Sequence, residues 1–589
     1  MVFASCCLIT TLSFQSTARH RSYNNNCLQD YSSMGNCFNI SSSSATSVSH
    51  SFSNKNIAMS LPVDNAFRLP SPPLPAWPPG GGFASGVIDL GGLLVSQVSS
   101  FTKVWATTQG GPGDTGFTFF EPSSVPDGFY VLGSYAQPNN VPLFGRVLVG
   151  KDVSGGALRT PTDYTLVWHV EGSPQSPFPC YVWLPVCTQG YEPVGYLVTT
   201  TPEKPSADGI RCVRSELTDV SEANVWIWGG DGVNIYTSRP QVRGMEAHGM
   251  ATGSFVLHSN SSSSSTPACL RNTNKNFSST MPNMAQIRAL MGSYSPTFHF
   301  HPDEEFFPSS VGWFFENGAL LYAKGNESSP VRVDPNGENL PRGGSNDGAY
   351  WLDLPTSNAE DVKKGNLPNA TAYLHVKPAH GGASTDIAVW VFYPFNGAAA
   401  AKVEFLTVKL GKIGEHVGDW EHVTLRISNF DGALTDVYFS QHSGGVWASA
   451  AQVEFQDGTN KPTVYSSKHG HAAYPKPGEN MQGSGDVGIR NDTARGGSFI
   501  DTGSDFSVVA AEYLGGVEEP PWLDYAREWG PKLSYEIERE MKKLERFLPG
   551  KMKSELEKIA REIPSEVLGE EGPVGPKWKD NWSGDERSS

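Results

Sequence analysis

Histidines and carboxylates cluster in the second half of this 589-residue chain. Nine of the fourteen histidines lie between residues 299 and 471. Six of these nine belong to three short motifs, His299–Glu305, His416–His422 and His469–His471, and the first two motifs also contain carboxylates. Imidazole nitrogens and carboxylate oxygens bind divalent cations and also transfer protons. The clustering therefore indicates a functional site in this region.

The middle motif, His416-Val-Gly-Asp-Trp-Glu-His422, leads into an apolar run that predicts a β-strand ending near Ile427. Because side chains alternate along a strand, Asp419 and Glu421 share a face with the apolar residues that follow them. Two carboxylates at the head of an apolar face need a counter-charge. We predict that His416, Asp419 and Glu421 bind a divalent cation, for which their mixed oxygen and nitrogen ligands favour Mg²⁺, Mn²⁺ or Ca²⁺.

Ion pairing is the alternative to a metal. In that interpretation Asp419 and Glu421 pair with a basic side chain, for which the candidates are Arg426, Lys468 and Arg490. The flanking motifs leave further alternatives open. His299 and His301 form either a second metal half-site or ordinary surface histidines, and the loop Lys468-His-Gly-His471 either closes the same pocket or serves only the fold.

Composition and charge exclude several classes of protein. The formal net charge of −16 argues against nucleic-acid binding and against non-specific attraction to anionic lipid, since both need a basic surface. No run of about 18 apolar residues is present, so no transmembrane segment is predicted. The eight cysteines contain no C-x2-C pair, which favours reduced thiols and an intracellular setting.

A threefold internal repeat lies upstream of these motifs. Its first landmark is a Val-Trp pair, present as Val104-Trp105, Val167-Trp168 and Val225-Trp226. Its second is a Gly-x4-Gly pair, present as Gly128/Gly133, Gly190/Gly195 and Gly244/Gly249. Turn glycines and aromatic strand residues in a fixed order indicate one supersecondary unit used three times. We predict a β-prism-like module with pseudo-threefold symmetry.

The rest of the chain predicts a β-sandwich and then an αα-hairpin. Short runs with period-two character, such as Asp386–Tyr393, indicate the sandwich, and Asn283 is predicted to cap a helix from Met284 to Met291. Apolar residues at helical spacing after residue 536 indicate the hairpin. The predicted organisation of this mainly β protein is a leader (1–58), a linker with first strands (59–100), the threefold module (101–282), the sandwich (283–515) and the helical hairpin with its tail (516–589).

The leader, residues 1–58, is rich in serine and asparagine and lacks a pattern that builds a core. Its low acidity resembles that of a plastid transit peptide. The alternative is an extended gene model in which Met59 is the true start.

Five motifs resemble the plant form of the vacuolar protein sorting-associated protein 62 family, long described as a domain of unknown function. They are Gly80–Gly91, His301–Glu305, Gly343–Trp351, Gly414–His422 and Tyr465–His471. The resemblance covers roughly residues 66–584. It implies a role in protein delivery to the vacuole and implies no established reaction.

The sandwich is also similar to the microbial necrosis-inducing cytolysins, whose signature is Gly-His-Arg-His-Asp-Trp-Glu. In those proteins the first His, the Asp and the Glu bind a divalent cation on a β-sandwich that engages sphingolipid headgroups. The matching positions here are His416, Asp419 and Glu421. The sequence departs at Gly418, which replaces the second His, and Asn396 is the nearest counterpart of an upstream acidic ligand.

Three functions compete. The first is a non-catalytic peripheral membrane or trafficking adaptor that binds a lipid headgroup or glycan, together with unidentified protein partners. The second is a metal-dependent hydrolase in which Glu421 or His471 acts as base. The third is a defence-related lectin or pore-forming protein. The sequence favours the adaptor over an enzyme, with a cytoplasmic or peripheral membrane location, or a plastid location if residues 1–58 are a genuine transit peptide.

Overall fold

The computed structural model describes residues 60–70, 72–172, 176–259, 266–403, 406–410, 412–442, 444–484, 487–532 and 572–588. The chain divides into two units, Met1–Met59 and Ser60–Ser589, of which the second contains all the described residues. The predicted leader and the apolar stripes of the predicted αα-hairpin, in 533–571, lie outside the described residues and stay predictions. The described part is mainly β, as predicted.

Nineteen of the strands in the described part of the chain precede residue 272 and form the first module. In chain order, β1 to β19 are Val87–Asp89, Leu93–Val98, Phe101–Thr107, Phe117–Pro122, Tyr130–Val131, Tyr135–Pro138, Val147–Asp152, Leu158–Arg159, Asp163–Val170, Cys180–Val186, Tyr191–Glu192, Leu197–Thr199, Cys212–Arg214, Thr218–Asp219, Ser221–Gly230, Val233–Pro240, Gly249–Met250, Phe255–Ser259 and Cys269–Arg271.

The strand order of this module repeats three times, in the units β2–β7, β8–β13 and β14–β19. In every unit the second, third and fifth strands form one antiparallel sheet, namely β3-β4-β6, β9-β10-β12 and β15-β16-β18. The first, sixth and fourth strands form another, namely β2-β7-β5, β8-β13-β11 and β14-β19-β17, and β1 joins the edge of the first of these. The repeat therefore begins at Leu93, before the first Val-Trp pair.

Each unit contributes one tryptophan to a shared core. The Trp105 and Trp168 rings meet edge to face with centroids 6.1 Å apart, and those of Trp168 and Trp228 meet with centroids 6.3 Å apart. The predicted landmark of the third unit is therefore wrong, because Trp226 is 41% exposed whereas Trp228 is buried. Irregular pairing on both sides of Trp226 in β15 adds residues to that strand and displaces the buried position by two.

The second glycine of the third unit is displaced as well. Gly133 and Gly195 follow the ends of β5 and β11, but Gly249 lies inside β17. Gly253, just beyond the end of β17, takes the corresponding position. It has a φ of +81°, and a Cβ there would lie 2.0 Å from the Arg146 carbonyl oxygen, so both its conformation and its surroundings require glycine.

Unequal loops break the threefold symmetry at one end of the module. The Trp105 indole donates to the Phe178 carbonyl in the second unit's loop, and the Trp228 indole donates to the Gln109 carbonyl in the first unit's loop. The corresponding loop of the third unit is only a two-residue turn between β15 and β16. The buried Nε1 of Trp168 accordingly has no hydrogen-bond partner among the described residues. The loops have diverged while the core has kept its symmetry.

A disulfide joins Cys187 to Cys212 within the second unit. The prediction of reduced thiols, which rested on the absence of a C-x2-C pair, is therefore wrong for these two residues, which are 25 positions apart and form no short motif. Folding brings them together, since Cys187 follows β10 and Cys212 begins β13. The other two described cysteines, Cys180 and Cys269, are buried free thiols.

The remaining strands and the α-helices of the described residues form the second module. In chain order, β20 to β36 are Thr297–His299, Leu320–Ala323, Val331–Arg332, Tyr350–Asp353, Ala372–Ala379, Ser384–Asn396, Ala400–Val403, Leu406–Lys409, His416–Ser428, Leu434–Gln441, Gly444–Ser449, Thr463–Ser466, Ala473–Tyr474, Gly478–Ser484, Val487–Thr493, Phe499–Asp501 and Phe506–Ala510. The helices α1 to α3 are Met284–Tyr294, Val311–Glu316 and Ala359–Lys363.

A six-stranded central sheet, in the order β30-β29-β28-β25-β24-β36, organises this module. One face packs against the sheet β32-β31-β20-β35 and against α1. The prediction that Asn283 caps α1 is confirmed: its side chain accepts from the Gln286 amide, and the Gln286 side chain bonds back to Asn283. The other face is covered by α2, the sheet β22-β21-β23 and a cluster of tryptophans, so β25 is buried along its whole length.

The corrected register of the third unit can be tested by truncating each of its two neighbouring tryptophans. Trp228→Ala should destabilise the protein by roughly 3–5 kcal/mol, because it empties a core position shared by all three units. Trp226→Ala, the matched control, should change the free energy of unfolding by less than about 0.5 kcal/mol, since the ring lies on the surface. Denaturant unfolding measures both. The opposite ranking would show that the sequence-based landmark was right.

Candidate binding cleft

A cleft of about 780 Å³ lies at one end of the central sheet. Its walls come from β28, from the loop between β31 and β32, from the sheet β27-β26-β34-β33 and from the C-terminal segment 572–587. The three predicted metal ligands, His416, Asp419 and Glu421, all line it. The structure thus brings the middle motif to a wide, polar cleft.

Gly418 places His416 on the same side of β28 as the two carboxylates. Strict alternation would put residue 416 on the opposite face from Asp419. Gly418 adopts a φ of +69°, so Val417 packs in the same cluster as Trp420 and His416 turns toward the cleft. A Cβ at residue 418 would also lie 2.4 Å from the Trp529 carbonyl oxygen. A histidine at this position, as in the cytolysin signature, does not fit this backbone.

Asp419 pairs with His471, a histidine from the third sequence motif. The His471 Nδ1 lies 3.0 Å from a carboxylate oxygen of Asp419, and its Nε2 lies 3.1 Å from the Phe306 carbonyl oxygen. Both neighbours are hydrogen-bond acceptors, so the doubly protonated imidazolium satisfies both. The ring also stacks on Tyr393, with centroids 3.8 Å apart. The prediction that the Lys468–His471 loop closes the same pocket is confirmed.

Opposing effects separate the pKa values of the two carboxylates. Burial alone would raise the pKa of Asp419, but the hydrogen bond from His471 and the charges of His416 and His471 outweigh it and hold this pKa at about 2. Burial and the negative charge of Asp419 raise the pKa of Glu421 to about 8. Glu421 also accepts a 2.7 Å hydrogen bond from Ser440. Protonation of Glu421 relieves the repulsion between the two carboxylates at neutral pH.

The basic side chains proposed as alternative partners are engaged elsewhere. Arg426 pairs with Asp386 and Asp585, on the opposite face of the sheet. Lys468 lies 3.7 Å from Asp303, and Arg490 pairs with Asp492. Asp419 therefore does form an ion pair, but with His471 and not with Arg426, Lys468 or Arg490.

The donor set around the cleft suits a hard or borderline divalent cation in its chemistry but not in its arrangement. His416 Nδ1 is buried without a hydrogen-bond partner, and Asn396, paired with His416 across β25 and β28, also lines the cleft. Within the described ranges, however, no three His, Cys, Asp or Glu side chains are grouped as metal ligands. A cation at His416, Asp419 and Glu421 therefore stays a prediction that needs some side-chain movement.

The two histidines of the first motif do not line the cleft, whereas its last residue, Glu305, does. His299 is buried in β20, where its Nε2 bonds to Gln456, and His301 lies 3.9 Å from Asp303. Several cleft residues were missed instead, among them Ser440, His442, Asn491 and Lys579. Nothing in their local sequence marks them, since each reaches the cleft from a different element.

Backbone strain is concentrated at the cleft. Among the eight non-glycine residues found with positive φ, three are His442, His469 and His471, with φ values of 33°, 68° and 56°. Non-glycine residues seldom adopt this conformation, although histidine does so more often than most, and such strain is commonly retained at functional sites. The His469 amide donates to Glu304 at 2.7 Å, which helps to hold the loop in place.

The C-terminal segment, residues 572–588, forms one wall of the cleft and docks on the second face of the central sheet. Trp582 stacks on His375 with ring centroids 3.9 Å apart. The buried Lys377 ammonium donates to the carbonyl oxygens of Asn581, Trp582 and Gly584. The sequence analysis assigned these residues only to a tail, whereas the structure makes them part of the fold.

Two acidic residues fasten this segment. Asp585 pairs with Arg426 at 3.1 Å, and Glu586 bonds to Thr424 and lies 3.2 Å from His422 Nε2. Burial alone would raise the pKa of Glu586, but the charge and hydrogen bond of His422, the charge of Lys377 and the hydrogen bond from Thr424 hold it at about 2.

Together these features define a two-module β protein, a threefold-repeat module joined to a sheet-based module with a polar cleft. The sequence matches the family described as Vacuolar protein sorting-associated protein 62 over residues 63–586, and the chain belongs to that family. A putative vacuolar protein sorting-associated protein, TDA6, from Saccharomyces cerevisiae is 25% identical over a 237-residue alignment, and the match covers 33% of this chain. The match spans 48%, about half, of the yeast protein.

Solved structures show only a weak likeness. GNIP1Aa from Chromobacterium piscinae aligns with a TM-score of 0.26 and 17% identity, over 35% of this chain and 40% of its own. The non-toxic HaNLP3 protein aligns with a TM-score of 0.20 and 11% identity, over 38% of this chain and 75% of its own. No function is inferred from likenesses of this size. Within the described residues, no helix is long and apolar enough to cross a bilayer.

Replacing Asp419 tests how its charge is balanced. Asp419→Asn should destabilise the protein by roughly 3–5 kcal/mol, because it leaves the His471 imidazolium buried without its anion. The exposed Asp457→Asn is the control and should have little effect. If the predicted cation is present, a chelator should also lower the melting temperature of the wild type. An unchanged melting temperature with chelator would contradict the cation while leaving the His471 pair intact.

The docking of Glu586 should make stability depend on acid pH. Its pKa is lowered from 4.5 to about 2 on folding, so its contribution is present above pH 4.5 and is lost as the pH falls toward 2. Glu586→Gln should remove about 3 kcal/mol at pH 7 and flatten this part of the profile. The exposed Glu518→Gln is the control. Parallel unfolding profiles for Glu586→Gln and the wild type between pH 5 and pH 3 (roughly the window set by the shift) would contradict this account.

Proposed function

We propose that this protein is a non-catalytic adaptor in vacuolar protein traffic that binds a polyhydroxylated ligand, a lipid headgroup or a glycan, in the cleft. Membership of the Vps62 family and the name of the yeast relative support a trafficking-related role. The peripheral membrane location follows from the proposed headgroup and belongs to the same proposal.

The observation that carries this proposal is the concentration of unsatisfied polar groups around one cleft. Buried atoms without hydrogen-bond partners in the described structure include His416 Nδ1, His469 Nε2, Asn491 Nδ2 and Asn346 Oδ1, and all four residues line the cleft. Each such atom costs about 1–3 kcal/mol. We propose that the fold tolerates these unsatisfied atoms and the strained histidines because a bound ligand forms the missing hydrogen bonds.

The lining favours a ligand with many hydroxyl groups. The lining contains both an unsatisfied donor, Asn491 Nδ2, and an unsatisfied acceptor, Asn346 Oδ1, and a hydroxyl can both donate and accept. The walls carry charges of both signs, with carboxylates on β28 and basic residues such as Arg490 and Lys579 on the facing elements. Trp578, 44% exposed, offers an aromatic surface to the apolar face of such a ligand. A strongly anionic or a purely apolar ligand would match this lining less well.

Binding rather than turnover is proposed because the acid–base groups are already engaged. Asp419 is held by His471, and Glu421 is largely protonated at neutral pH and accepts from Ser440. The predicted cation at His416, Asp419 and Glu421 is part of this proposal as an additional contact for hydroxyl oxygens.

A headgroup and glycan array on the full-length protein, followed by titration calorimetry, tests this function. Asn491→Ala should weaken binding by up to about tenfold, since it removes one hydrogen bond from a group that His442 orients at 3.0 Å. Asn224→Ala, on the exposed surface of the threefold module, is the matched control. Absence of binding to every headgroup and glycan, or equal losses in the two variants, would refute the cleft as the site. Release of a product would favour the hydrolase alternative.

A further inference from the structure

We infer that the threefold module helps to hold the wall of the cleft formed by residues 578–587, with Arg243 as a positioning residue that acts through the C-terminal segment. One consequence of this inference, that contact between the modules changes ligand affinity, rests on the proposed function. Its structural core can be tested without a ligand.

The C-terminal segment presents different residues to two sides. Trp578, Lys579, Asn581 and Arg587 line the cleft. Between them, Trp582, Asp585 and Glu586 bind the central sheet and the threefold module. A displacement of the anchoring residues therefore displaces the lining residues, since both sets belong to one short stretch of chain.

Arg243 is the charged link from the threefold module to this stretch. Its Nε lies 2.8 Å from a carboxylate oxygen of Asp585, and its Nη1 lies 2.6 Å from Glu222. Asp585 bridges in turn to Arg426 on β28. The Met245 amide adds a 3.0 Å hydrogen bond to the Ser583 carbonyl. The threefold module thus contacts the C-terminal segment through the Arg243 side chain and through the Met245 backbone amide.

Close packing between residues 244 and 583 restricts the position of the C-terminal segment where it meets the threefold module. A Cβ on Gly244 would lie 2.9 Å from the Ser583 carbonyl oxygen, so the two backbones touch. At its other end the segment is held against the cleft rim, where the Trp529 amide donates to the Pro573 carbonyl at 2.7 Å. The central sheet also holds the segment, and the threefold module adds the Arg243 and Met245 contacts that help to position residues 578–587.

The test compares Arg243→Gln with Arg239→Gln in the full chain. Arg239 pairs with the same Glu222 at 2.9 Å, and no ion pair joins it to Asp585 in the described structure, so it is a matched control. Amide hydrogen exchange of residues 578–587 should rise in Arg243→Gln and stay unchanged in Arg239→Gln. Arg243→Lys, which keeps the charge but not the forked geometry, should restore protection in part. Circular dichroism confirms that each variant is folded.

Affinity for glycerophosphoinositol, a soluble polyol headgroup, provides the second measurement. Arg243→Gln should weaken binding about three- to tenfold, a coupling of typical size, and Arg239→Gln should not. Unchanged exchange in Arg243→Gln overturns the inference, and so does raised exchange with unchanged affinity. If the wild type does not bind this headgroup, the proposed function fails for that class of ligand, and the exchange measurement alone decides whether Arg243 holds the wall.

Discussion

Buried charge on the second face of the central sheet is the constraint on which the sheet-based module depends. Lys377, Asp386 and Arg426 lie on that face with little exposure to solvent, beside the imidazole of His422, whose pKa is lowered chiefly by burial. Unpaired charges in such a place would cost several kcal/mol each. The C-terminal segment supplies the missing partners, since Asp585 and Glu586 pair with Arg426 and His422 and three backbone carbonyls surround Lys377. A segment that is almost the last in the sequence therefore completes the centre of the fold.

The same segment explains how the two modules and the cleft fit together. It contacts the threefold module at Arg243 and Met245, the central sheet along β24 and β28, and the cleft through Trp578 and its neighbours. The threefold module has its own core, in which one tryptophan from each unit meets the others. Its symmetry is strict in strand order and loose in loop length, so its surface is free to diverge while its core is not.

The cleft shows how one strand can serve structure and function at once. Apolar residues in the second half of β28 fill the core, while its first residues line the cleft. At that end the pKa values of Asp419 and Glu421 are driven apart by their partners, one carboxylate being charged and the other largely neutral. This arrangement places two carboxylates on one face of the strand without requiring a metal ion.

The sequence by itself determined what depends on local pattern. Alternation in β28, the Asn283 cap, the mainly β character and the existence of a threefold repeat all follow from residues close together in the chain. It misplaced the third unit's landmarks, because bulges in β15 change the register without leaving a clear sequence signal. Only the tertiary structure decided which groups meet. His471 beside Asp419, Cys187 beside Cys212 and Glu586 beside His422 are contacts between distant positions. Such pairings depend on how sheets stack and where loops return, which a local pattern does not encode.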